Sequence, residues 1–255
     1  MTRRTGCLIV NADDWGRCYE TTERTLECWL DRTVSSVSAM VFMSDSERAA
    51  DVALERGIDT GLHLNLTAPL SATATPARLR EQQQRLAYYL GVNRSRRVWF
   101  QPGLQNSFHY VVSSQIDEYQ RLYGTIPGRI DGHHHMHLCA NVVFGGLLPA
   151  GTIVRRNFTF RRGEKSWWNR LYRRFQDKVL ARQHPIVDYL YSLAPLNIPG
   201  RLEYIVALAK ESVVELETHP VMVEEYQFLR EGGMLQAAGD CPIAASFALK
   251  SYERR

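Results

Sequence analysis

The run Cys7-Leu8-Ile9-Val10 is apolar without a break and leads directly into Asn11-Ala12-Asp13-Asp14-Trp15-Gly16. A continuously apolar strand must be covered on both faces, which is the situation of a parallel sheet flanked by helices. The pattern recurs along the chain. Tyr19 to Leu30 predicts a helix, Val34 to Phe42 a second strand, and Ser44-Asp45-Ser46-Glu47 a capping box opening another helix. Gly61 to Leu66 alternates as a strand does, with His63 and Asn65 on the face opposite Leu62, Leu64 and Leu66. Helices are expected at Ala77 to Leu90 and Ser114 to Tyr123, and strands at Arg129 to His133, Thr152 to Arg156 and Ser212 to Thr218. Alternating strands and helices of this kind predict an α/β chain of βα units around a parallel sheet. Each polar cluster follows a strand, and β/α barrels carry their chemistry at the carboxyl ends of the strands.

The 255 residues suit one barrel-sized domain spanning 1–255, since such folds run to about 250 residues. The stretch around 157–199 reads as a basic, aromatic insertion between late strands. Five cysteines, an odd number without CxxC spacing, argue against a disulfide framework and fit a reducing cytoplasm. The apolar stretch near the N-terminus is too short for a signal-peptide core, and no run reaches the 18 or so apolar residues of a spanning helix. The protein is therefore expected to be cytoplasmic and not integral to a membrane. Arg155 to Arg182 holds ten Lys/Arg against Glu164 and Asp177. Its Trp167, Trp168, Tyr172 and Phe175 suit stacking on sugar rings, peripheral contact with an anionic membrane through 157–182, or an amphipathic helix with a solvated basic face.

Three segments carry candidate chemistry. Asp13 and Asp14 are adjacent at a strand end, where successive side chains point different ways and suit different roles. Asp131-Gly132-His133-His134-His135-Met136-His137 packs four histidines into five positions, a density suited to borderline metals. Some of these imidazoles would bind substrate or orient a ligand rather than coordinate. His63 and His219, the latter followed by Pro220 and preceded by Glu217, gain weight from their strand-end positions.

Taken in order, Asn11 to Gly16, Gly61-Leu62-His63-Leu64-Asn65-Leu66-Thr67, Asp131 to His137 and His219-Pro220 resemble the YdjC-like carbohydrate deacetylase family over nearly the whole chain. The resemblance implies a distorted or incomplete TIM-like (β/α) barrel and one divalent metal ion, Zn²⁺ or Mg²⁺, on Asp14, His63 and His133. It implies Asp13 as general base, His219 as general acid and Arg155 as the residue holding Asp13. Asn65, His135, His137 and Trp15 are then expected to face the substrate, an acetylated amino sugar, and a homodimer is compatible with the family. Trp15 stands where Phe is usual and Val221 where Gly is frequent, so the pocket is expected to differ in shape. Two imidazoles and one carboxylate leave coordination positions open, as catalytic sites do. The alternatives are a metal-dependent phosphoesterase or other amidohydrolase, which would gather ligands for two metals, and a nucleic-acid-binding protein using the basic stretch. The last leaves the strand-end cluster unexplained, so no nucleic acid partner is expected.

Overall fold

The computed structural model of the protein describes residues 6–161 and 163–247. Among the described residues seven strands, β1 (Cys7–Trp15), β2 (Ser36–Ala39), β3 (Thr60–Leu64), β4 (Arg129–Gly132), β5 (Ile153–Val154), β6 (Tyr189–Ser192) and β7 (Val213–Thr218), form one sheet in the order β5-β4-β3-β2-β1-β7-β6. All their pairings are parallel. The connections carry α1 (Tyr19–Leu30), α2 (Ser46–Arg56), α3 (Ala77–Val92), α4 (Gln105–Tyr123), α5 (Ala140–Val143), α6 (Trp167–Leu180) and α7 (Arg201–Ala209). α8 (Val223–Arg230) and α9 (Gly233–Ala238) follow the last strand.

The sheet curls far enough for its two ends to meet through side chains. Arg155 follows β5 at one edge, yet its guanidinium bonds Asp13 of β1 and Glu215 of β7 at 2.7 Å, across the inside of the curve. The edge strands β5 and β6 are joined by irregular backbone contacts rather than a ladder: Val154 N–H donates to Pro185 O at 3.1 Å and Thr159 N–H to Leu190 O at 2.9 Å. The result is an incomplete, distorted α/β barrel.

Strand alternation sorts side chains to the two sides of this curve. Leu8, Val10 and Ala12 of β1, Leu62 and Leu64 of β3, and Val214 and Leu216 of β7 face outward into the main core beneath the helices. Ile9, Val187, Val213 and Phe247 form a second, smaller apolar cluster, with Cys7, Ile153 and Ala244 packed against it. Above this plug at the amino ends of the strands, the interior becomes polar.

Several sequence expectations are corrected. No capping box opens α2: Asp45 is its N-cap and makes no side-chain cap, its carboxylate instead binding Arg48 at 2.8 and 2.7 Å. α4 starts at Gln105 rather than Ser114, because Pro102–Leu104 forms a turn of 3₁₀-helix leading straight into it. The 157–199 stretch is not an insertion outside the barrel, since it supplies both α6 and the sheet strand β6. β4 ends at Gly132, and His133–Leu138 is a 3₁₀ segment with left-handed backbone at His134 and His135. Residues 1–5 and 248–255 of the expected domain lie outside the described residues.

Candidate metal centre

The pair Asp13-Asp14 depends on a bulge. Between Ala12 and Trp15, β1 advances three residues while β2 advances two, from Val37 to Ala39, and Asp14 takes up the excess with φ of 66°. A left-handed conformation is costly for a non-glycine residue and persists where the surroundings over-determine it. The bulge corrects the expectation that adjacent carboxylates diverge, for both approach one imidazole: His63 Nε2 lies 3.3 Å from Asp14 Oδ1 and 3.9 Å from Asp13 Oδ2.

His63 on β3 is the register partner of Asp131 on β4, whose Oδ1 lies 2.7 Å from His63 Nδ1. That bond fixes the ring and turns Nε2 toward Asp14, where it is buried without a hydrogen-bond partner. His133, immediately after β4, brings Nδ1 to 2.9 Å from Asp14 Oδ1. The donor atoms of Asp14, His63 and His133 all lie within 4.8 Å of one another.

The electrostatics favour a cation here. Burial opposes the charge on Asp14, but the His133 and His63 imidazoles beside it outweigh this and hold the carboxyl far below the usual range. Burial likewise opposes charge on His63, yet Asp13, Asp131 and Asp14 surround the ring and raise its pKa well above the ordinary value. A buried, unpaired ring nitrogen is costly, and a carboxylate–histidine pair with the second nitrogen free is the usual support for a metal ligand. These residues therefore fit a divalent ion. Among the described residues two other groupings, Asp13-His63-Asp131 and Asp13-Glu217-His219, also bring their donor atoms within 4.8 Å of one another. Both need Asp13, whose two oxygens already accept bonds from Arg155 at 2.7 Å each.

Arg155 is the hub beneath the centre. Besides Asp13 it reaches Glu215 at 2.7 Å, Asp131 at 3.0 Å and Glu217 at 3.2 Å, all of them buried. Burial pushes the Glu215 carboxyl up to about 7 despite Arg155. Glu217 goes the other way: burial opposes its charge, but His135 and Arg155 bring it down to about 2. Asn11 completes the support of Asp13, donating to its Oδ1 at 2.9 Å. Sequence reasoning missed Asp131, Glu215 and Asn11 as members of the site, and noted Glu217 only as preceding His219. The alternation Val213, Glu215, Glu217 in an otherwise apolar strand was the available signal.

His219 stands at the rim, with Nε2 3.9 Å from Asp13 Oδ2 and 3.8 Å from Glu217 Oε1. Buried Glu225 of α8 fixes its backbone, accepting from His219 N–H at 2.8 Å. His135 lies 3.2 Å from Glu217 and packs edge-on against Phe158. With Asp13, Asp14, His133, Glu217 and His219, His135 lines a cavity of about 350 Å³.

The other three expected substrate contacts are engaged elsewhere. Asn65 turns back on its own loop, its Oδ1 accepting from Thr67 and Ala68 N–H at 3.1 and 2.8 Å. The His137 ring is fully buried behind the site, Nε2 at 2.9 Å from Arg155 O, and packs so closely on Gly132 that a Cβ there would sit 3.0 Å from it. Trp15 is a core residue whose indole N–H donates to Ala49 O at 3.1 Å.

A family model described as YdjC-like protein matches residues 7–248, nearly the whole chain. The chain belongs to the YdjC-like family. Over 169 residues, 64% of its length, this YdjC-like chain is 31% identical to the human carbohydrate deacetylase, covering 51% of that protein. It is 31% identical over 153 residues to the mouse carbohydrate deacetylase, covering 56% of this chain and 47% of that one. A chitooligosaccharide deacetylase of Yersinia pestis is 28% identical over 140 residues, 53% of this chain and 52% of the relative. The YdjC-like chain thus spans about half the length of the curated relatives it matches. Its fold also superimposes on a solved Enterococcus faecalis protein, described as a candidate cellobiose-phosphate cleavage protein, with a TM-score of 0.65 at 18% identity. That likeness covers 95% of this chain and 97% of the other, and extends the shared fold from end to end.

Proposed function

We propose that this YdjC-like protein is a metal-dependent hydrolase that removes the N-acetyl group from an acetylated amino sugar. The observation that carries the reading is the buried Asp14-His63-His133 grouping, whose His63 Nε2 faces Asp14 without a hydrogen bond, set beside an Asp13 gripped by Arg155. The names of the mammalian and bacterial relatives supply the substrate class.

Asp14, His63 and His133 would hold the ion, which when bound supplies Lewis acidity to polarise an amide carbonyl and ease the ionisation of water. Asp13 accepts the proton of the attacking water, and Arg155 keeps that carboxylate in one orientation through two parallel bonds. His219 is the nearest rim histidine to Asp13 and is partly open to solvent, so it is placed to give a proton to the departing nitrogen. Hydrolysis breaks the amide C–N bond, the water oxygen goes to the acetyl carbon, and the nitrogen gains a proton. Acetate and a free amino sugar result. His135, with Phe158 against its ring, faces the sugar.

The test is acetate release from a panel of N-acetylated mono- and oligosaccharides by the metal-loaded protein. Losing one outer partner of a metal ligand typically costs 10–100-fold, so His63→Ala is expected to lower the rate by more than about 100-fold. No release from any panel member, or equal release by His63→Ala, overturns the reading. Metal analysis should return one ion per chain, because the competing groupings draw on an Asp13 already committed to Arg155. Two ions would favour the phosphoesterase or amidohydrolase chemistry instead.

A further inference from the structure

α6 buries two polar side chains beside Leu180 and leaves most of its large apolar ones outside. On its inner side Gln176 donates to Leu138 O at 2.8 Å, and Asp177 accepts from Asn157 N–H at 3.0 Å and from Arg156 at 2.8 Å. On its outer side Trp167, Trp168, Leu171 and Phe175 are 62, 72, 46 and 54% exposed. Trp167, Leu171 and Phe175 follow one another at helical spacing, so they form a row. Phe144, just after α5, extends that row with its ring centroid 6.4 Å from Phe175.

A second apolar outcrop, Val98, Trp99 and Phe100, is 40, 71 and 42% exposed. Val98 and Tyr172 of α6 line the same cavity of about 460 Å³, which reaches His134 and His135 beside the metal centre. Exposed tryptophans therefore accompany both walls of this cavity. Each outcrop is also basic: Arg96 and Arg97 precede Trp99, and Lys165, Arg174 and Lys178 flank the α6 row. The carboxylate on α6, Asp177, is turned inward.

A contiguous exposed apolar patch marks an interaction surface. A second copy of the chain would set these cations against one another, which is penalised at an interface. An anionic bilayer satisfies both features, taking aromatic rings at headgroup depth and Lys/Arg against lipid phosphates. Among the described residues no helix is long and apolar enough to cross a membrane. We propose that the outer face of α6 and the Val98–Phe100 segment dock on an anionic lipid bilayer, so that the cavity beside the metal centre opens at the membrane surface. This surface is independent of which bond the site hydrolyses.

The experiment is sedimentation of the full chain with vesicles of phosphatidylcholine alone or with about a third phosphatidylglycerol, at low and high salt. Binding at least about tenfold tighter to the anionic vesicles is expected, weakening as salt screens the charges. Trp99→Ser/Trp167→Ser/Trp168→Ser and, separately, Arg174→Glu/Lys178→Glu should each abolish it while circular dichroism and acetate release from a water-soluble substrate stay as in the parent. Quenching of tryptophan fluorescence by bromine-labelled lipid should be seen in the parent and lost in the triple variant. The proposal is overturned if the folded parent ignores anionic vesicles, or if both variants bind as the parent does. It is also overturned if the substitutions instead abolish a concentration-dependent self-association, which would make the patch a contact between copies of the chain.

Discussion

The lower and upper halves of the barrel interior are drawn from the same strands and obey the same alternation. On β1 the inward positions run Cys7, Ile9, Asn11, Asp13, and on β7 Val213, Glu215, Glu217, with Ile9 paired to Glu215 and Asn11 to Glu217. Below, Ile9, Val213, Val187 and Phe247 meet one another and bury apolar surface, which stabilises the fold without demanding exact partners. Above, carboxylates are taken out of water, where desolvation opposes them unless each meets a cation or donor. Three of the five described non-glycine residues with positive φ, Asp14, His134 and His135, lie at the upper rim. Within the interior, apolar burial thus sits in the lower half, while the upper half holds reactive groups in place at a cost in desolvation.

Removing the cation that unites the upper half should have the largest effect. Arg155→Met leaves Asp13, Asp131, Glu215 and Glu217 facing one another without their shared partner. Breaking a buried ion pair in this way typically costs about 3–5 kcal/mol, to be read from urea unfolding, and the proposed acetate release should fall to background because Asp13 loses its orientation. A variant as stable as the parent would show that the carboxylates are relieved by other means. Next comes Asp131→Asn, which weakens the support of His63 while keeping its shape. Metal affinity should drop about 10–100-fold, measured by competition with a chelator, and unchanged affinity would remove His63 from the ligand set.

The contrast between the halves also explains what could be read in the sequence. That Asp13, Asp14 and His133 stand near the carboxyl ends of strands was legible because a short strand leads into each. His63 was picked out by the alternating face of its own strand, and the grouping of these residues as ligands came from the family resemblance. The bulge at Asp14 was not legible, since it arises from the register of β1 against β2. Asn65 was misplaced by carrying the alternation one residue past Leu64, where β3 ends and the side chain folds onto its own loop. Tyr189 to Ser192 went unnoticed as a strand because four residues near Pro185 and Pro195, beside a strongly basic stretch, offer little pattern. The meeting of Arg155 with Glu215 and Asp13 depends on how far the sheet curls, a property of the whole chain.

Two smaller substitutions separate the halves further. Ile9→Val removes one methylene from the lower plug and should cost about 0.5–1.5 kcal/mol, with metal affinity and rate unchanged; a loss of activity at constant metal content would show that the plug also positions the site above it. His137 tests the upper half through pH. Burial depresses this histidine from 6.5 to about 3, with His135 adding to the effect, so it stays neutral in the folded protein. As pH falls below 6.5 the unfolded chain takes up a proton there and the folded chain does not until about 3, so stability declines through that window as pH drops. The slope approaches about 1.4 kcal/mol per pH unit once the unfolded imidazole is charged, giving a loss of about 1 kcal/mol between pH 6.5 and 5.5. His137→Gln retains a donor for Arg155 O but cannot titrate, so urea melts of this variant should lose about 1 kcal/mol less than the parent over the same interval. Parallel losses in the two proteins would mean that the folded state already accommodates a charged ring behind Gly132, and that the upper half is wetter than its burial implies.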